Sequence, residues 1–167
     1  MIQLYGTLVV FLAAALQSTL VTRIDVAGGR PDLMLLIVLS WAILRGPSEG
    51  IAAGIVGGFA IESLSGTPFG IHMGLLGLIG FSTSLGELNL YRGNLALFFG
   101  TAVLSTVAYH VGLALLLQVA NWEPPSLARF AQVTGPTALL NALCLPAVFW
   151  LVRRGMRLLQ GWRQLEV

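Results

Sequence analysis

Six apolar stretches, separated by short polar or glycine-rich connections, fill most of this chain: Ile2–Val21, Leu33–Leu44, Gly50–Leu64, Ile71–Leu85, Leu95–Ala120 and Pro136–Val152. Backbone in lipid must satisfy its own hydrogen bonds, and a helix does so within one segment. Only 10% of residues are charged and 56% are hydrophobic, against about 25% charged in a soluble globular domain. So few charges cannot cover a water-facing surface, which makes lipid the natural solvent. The expected fold is an all-α membrane protein, a six-transmembrane-helix bundle with five spans as the alternative. One transmembrane domain over residues 1–152 is followed by a basic amphipathic tail over 153–167.

The first stretch resembles a signal peptide at Ala13-Ala14-Ala15 but lacks a basic leading region. It is long enough to span and is expected to be retained. Leu33–Leu44 has 12 residues, about 18 Å of helix against a hydrocarbon core of about 30 Å. It spans only if the helix continues through Asp32 and Arg45, with Arg45 reaching the interface. Partial insertion of this segment gives the five-span alternative. Pro31 suits a first helical position and Asp32 the positive end of a helix dipole.

Arginine placement sets the expected orientation. With the N-terminus inside, the inner side holds Arg45, Arg92, Arg153, Arg154, Arg157 and Arg163, and the outer side Arg23, Arg30 and Arg129. The excess on one side places both termini in the cytoplasm. In the tail, Leu158, Leu159, Trp162 and Leu165 recur at helical spacing, as in a helix settling on the inner membrane surface or a simple positive anchor. The outer connection 121–135 carries Trp122 as an interfacial anchor and a short helix over Ser126–Val133. Pro146 is expected to kink its helix.

Within the third stretch glycine recurs every fourth residue, at Gly50, Gly54 and Gly58, and the series ends in Glu62. That spacing keeps the residues on one helical face and lets a neighbouring backbone approach closely. The fourth stretch repeats the habit at Gly70, Gly74 and Gly77. The turn Ser65–Gly70 fits a tight antiparallel pair, with Gly66 ending the helix in a left-handed conformation and Thr67-Pro68 barring its continuation. These six glycines are the candidate packing or partner interface.

Arg30, Asp32, Glu62 and His72 belong near the outer ends of three helices, as a rim cluster in which Arg30 or His72 offsets the buried charge of Glu62. His110 and Asn141 are the intramembrane polar candidates, at comparable depth on consecutive helices, with Thr106 one turn before His110. They serve as interhelical hydrogen-bonding groups or as part of a ligand or proton path. No catalytic motif stands out. The lone Cys144 excludes an intramolecular disulfide and a cysteine metal motif, so neither a metal nor a cofactor is expected. A net charge of +2 gives no reason to expect nucleic acid.

The residues Arg30-Pro31-Asp32-Leu33, Arg45-Gly46 followed by Glu49-Gly50, the glycine helix ending in Ser65-Gly66, and Gly70 resemble the MreD family of bacterial rod shape-determining membrane proteins. Leu16-Gln17-Ser18-Thr19 is similar to the end of that family's first helix. The best match covers Gln17–His72, and the family usually has Asp where this chain has Glu62. The resemblance implies a fold similar to the substrate-binding subunit of energy-coupling-factor transporters. It also implies a non-enzymatic inner-membrane scaffold of the cell-elongation machinery, supporting peptidoglycan synthesis and rod shape. MreC is the implied partner, with RodA, its transpeptidase PBP2 and the filament MreB beyond it. The competing readings are a substrate-binding subunit of a vitamin transporter, with a polar pocket around Asp32, Glu62 and His72, and a lipid-handling protein using His110 and Asn141.

Overall fold

A computed structural model describes residues 28–86, 94–122 and 126–163, without the side chains of 127 and 159–163. The stretch Ile2–Val21, the motif Leu16–Thr19, Arg23, Arg92, Pro124, Pro125 and Leu165 lie outside the described residues, as do the side chains of Leu159, Trp162 and Arg163. Five helices occur among the described residues: α1 (Leu33–Arg45), α2 (Pro47–Ser65), α3 (Ile71–Ser84), α4 (Leu95–Val119) and α5 (Leu127–Arg163). No strand occurs among the described residues, in keeping with an all-α fold.

The shortest helix is the centre of the bundle. Residues Met34 to Ile43 of α1 are all buried, and α1 touches α2, α3, α4 and α5. A helix that is apolar all round has to be covered on all sides, and here protein covers it. Asp32 starts it as the N-cap, its carboxylate accepting the Leu35 N–H at 3.0 Å, so Pro31 falls just outside the helix. Gly46 ends it with φ 89°, a conformation that glycine adopts without steric cost.

Helices α2 and α3 form the tight antiparallel pair. Gly66 closes α2 in the left-handed conformation, and Gly70 precedes α3 with φ 100°. The contacts are backbone to backbone. A Cβ at Gly54 would overlap the main chain of Leu76 and Gly77, and one at Gly58 would overlap Met73 and His72. At Gly50 it would lie 2.7 Å from the Gly80 carbonyl oxygen. The α3 side of this contact differs from expectation. Gly70 and Gly74 have nothing within 4 Å of an added Cβ, and Gly77 makes an ordinary contact at 3.5 Å with Ile55. Gly80 supplies the close approach instead, and Gly57 makes room for the Met34 sulfur of α1.

Among the described residues, helices α4 and α5 are the two long enough and apolar enough to cross a membrane. They run antiparallel: Phe98 stacks edge-on against Phe149 at 5.4 Å, Thr106 meets Asn141, and His110 meets Thr134. Helix α5 has 37 residues, about 55 Å at 1.5 Å per residue. It begins at Leu127, so the short helix expected over Ser126–Val133 is its first two turns rather than a separate element. It continues past Val152 without a break, and both Pro136 and Pro146 lie within it. Pro136 deprives the Gln132 carbonyl of its helical donor, and that oxygen lies against Gly28. Gly29 packs so closely on Pro136 that a Cβ would come within 2.6 Å of it.

Candidate functional site

A connected polar layer crosses the bundle where α1 and α3 begin and α2 ends. Glu62, on the last turn of α2, is 2% exposed. Its carboxylate accepts three main-chain N–H groups at the start of α3, from Gly70 at 2.9 Å, His72 at 2.6 Å and Met73 at 3.2 Å. A helix leaves its first N–H groups without partners and carries partial positive charge there. Glu62 meets both requirements from another helix. These three hydrogen bonds all come from main-chain donors, and the His72 ring lies within electrostatic range of the same carboxylate. The α2–α3 turn is short enough, and the glycine-lined contact close enough, for the side chain to span the gap.

The His72 ring turns the other way. Its Nδ1 lies 2.6 Å from the Tyr109 hydroxyl on α4. On the far side of α1, the Asp32 N–H donates to Asn141 Oδ1 at 2.8 Å, and Asn141 Nδ2 donates to Thr106 Oγ1 at 3.0 Å. Thr106 in turn donates to the Ala102 carbonyl at 2.7 Å. The Arg30 N–H reaches Thr137 Oγ1 at 3.2 Å, and His110 Nδ1 lies 2.9 Å from Thr134 Oγ1. His110 and Asn141 therefore bond to neighbours on the facing helices and not to each other.

The rim cluster and the intramembrane pair thus form one layer. Asp32 lies within electrostatic range of His72, Tyr109 and His110. Three residues in it went unremarked in the sequence: Tyr109, Thr134 and Thr137. Periodicity carries the signal for them. Thr106, Tyr109 and His110 share one face of α4, and Thr134, Thr137 and Asn141 one face of α5. A hydroxyl repeated on one face of an apolar helix needs partners on its neighbour.

A second polar group lies at the opposite end of α1. Arg45 forms a two-pronged pair with Glu49, at 2.8 and 2.6 Å, and the Trp41 indole N–H also reaches Glu49 at 3.3 Å. This gives the sequence motif Arg45-Gly46 and Glu49-Gly50 a physical role, pinning the corner between α1 and α2.

Chemically, the central layer is a clamp. Every buried side-chain nitrogen or oxygen among the described residues has a hydrogen-bond partner. Among them no group of three or more His, Cys, Asp or Glu is gathered to hold a metal. The Asn141→Leu variant is expected to lose about 1–3 kcal/mol of stability, because the Asp32 N–H and the Thr106 hydroxyl lose a buried partner together. Thermal unfolding in detergent measures this, and an unchanged midpoint would remove Asn141 from the clamp.

A family model described as rod shape-determining protein MreD matches residues 1–158. No curated protein and no solved structure matches the chain.

Proposed function

Because this chain belongs to the MreD family of rod shape-determining membrane proteins, we propose that it is a non-enzymatic scaffold of the cell-elongation machinery in the bacterial inner membrane. It binds MreC and supports peptidoglycan synthesis, with RodA, PBP2 and MreB as further members of the assembly. The family match over 158 residues carries this reading. The clamp-like polar layer supports it, because its buried side chains are committed to holding helices together. A vitamin-transporter subunit would instead need Asp32, Glu62 and His72 turned towards an open cavity.

In this reading Ile2–Val21 adds the sixth helix, the bundle resembles the substrate-binding subunit of energy-coupling-factor transporters, and both termini are cytoplasmic. Residues 1–152 act as one membrane domain, with 153–167 as the basic tail. The glycines divide their work. Gly50, Gly54 and Gly58 are used up inside the α2–α3 pair, whereas Gly74 opens onto the outer face of α3 beside the exposed Leu78, Phe81 and Leu85. A small residue between larger apolar ones lets a partner's helix come close, which suits the single span of MreC.

Co-expression with MreC and purification in nanodiscs tests both parts. The two proteins are expected to co-elute, and Gly74→Leu to weaken the association by about tenfold through a steric clash at the contact. Separate elution of the wild-type proteins overturns the scaffold reading. Full retention of MreC by Gly74→Leu moves the contact off this face.

A further inference from the structure

At about 55 Å, α5 is longer than the hydrocarbon core of about 30 Å, so one end of it leaves the apolar region. The contacts show which level that is. Arg30 meets Thr137 and Asp32 meets Asn141, so α1 and α5 run side by side in the same direction. Thirteen residues on from each of the second pair, α1 reaches Arg45 and α5 reaches Arg154. Tryptophan, arginine and the α1–α2 corner therefore gather at one depth, the pattern of a membrane boundary.

There α5 has two unlike faces. Val152 and Met156 are buried, while Trp150, Leu151 and Leu158 are 51%, 65% and 61% exposed. Arg154 and Arg157 are exposed with them. At 100° per residue all five exposed positions fall within about 120° of the helix. The Arg154 guanidinium lies over the Trp150 ring, 5.1 Å from its centre, which directs it along the helix at the level where a ring of this kind anchors. Glu49, the acid at this depth on α2, is already engaged by Arg45 and Trp41. Among the described residues no carboxylate pairs with Arg154 or Arg157.

We infer that the Trp150–Leu158 face of α5 is a binding site for an anionic phospholipid. Arg154 and Arg157 hold the headgroup phosphate, and Trp150, Leu151 and Leu158 lie along the upper acyl chains. Guanidinium groups match phosphate oxygens in two-pronged geometry, and their charge favours an anionic over a zwitterionic lipid. The inference rests on α5 crossing the membrane and is independent of the partner proposed above.

The test uses the full chain in nanodiscs of mixed phosphatidylglycerol and phosphatidylcholine, with co-purifying lipid quantified after extraction into mild detergent. The wild-type protein is expected to retain phosphatidylglycerol over phosphatidylcholine by about tenfold. Arg154→Gln/Arg157→Gln is expected to lose that preference while keeping the wild-type melting midpoint in phosphatidylcholine. Equal retention of both lipids by well-inserted wild-type protein overturns the site and leaves the membrane span and the MreC reading standing. A double variant that keeps the preference also overturns it. Displacement of the lipid by millimolar inorganic phosphate would show a free-anion site instead.

Discussion

Glu62→Lys is expected to abolish folded protein, while Glu62→Gln leaves a folded but weakened one. The carboxylate accepts three N–H groups at the positive end of α3 and is sealed from solvent. Lysine would present a cation to those same donors, with no described carboxylate free to receive it. An uncompensated buried charge costs about 3–5 kcal/mol, a large share of the 5–15 kcal/mol that holds a typical domain together. Glutamine keeps one acceptor oxygen but turns an amide N–H₂ towards remaining donors, for about 1–3 kcal/mol. Fluorescence-detected size exclusion of membrane extracts separates the outcomes. A monodisperse, wild-type-like peak for Glu62→Lys would show that Glu62 does not cap α3.

Close packing of α2 on α3 gives the second large effect. Gly58→Leu is expected to split the pair, and Gly54→Ala or Gly58→Ala to cost about 1–3 kcal/mol each by overpacking. The obstruction is main chain, at Leu76 and Gly77 for the first site and at His72 and Met73 for the second, so no rotamer change relieves it. Gly74→Ala is the control. An added Cβ there meets nothing within 4 Å, and alanine favours a helix over glycine by up to about 1 kcal/mol. Its melting midpoint should match or exceed that of wild type. If all three alanine variants melt alike, close packing at the α2 glycines is not what holds the pair.

The two expectations bear differently on the same motif. Glycine at intervals of four in α2 was legible because helical periodicity fixes which residues share a face. Which glycines of α3 answer them was not, since that depends on how two helices are offset along their common axis. The offset makes Gly80 the partner of Gly50 and leaves Gly74 facing outwards. Likewise the turn 65–70 could be read residue by residue, because Gly66 and Pro68 act on local dihedrals.

By itself the sequence determined the helical character of the chain, the positions at which three of the five described helices begin, and the α2–α3 turn. All of these follow from local preferences and from the scarcity of charge. Tertiary structure decided three things that local chemistry leaves open. It made the short, largely apolar Leu33–Arg45 the buried centre of the bundle, because its neighbours rather than lipid cover it. It joined Asp32, Glu62, His72, His110 and Asn141 in one polar layer, because α4 and α5 run past the ends of the shorter helices and bring their mid-helix hydroxyls level with them. It also gave Glu62 main-chain partners, because three N–H groups at a helix start lie within reach of a single carboxylate, where a side-chain cation would itself have to be desolvated.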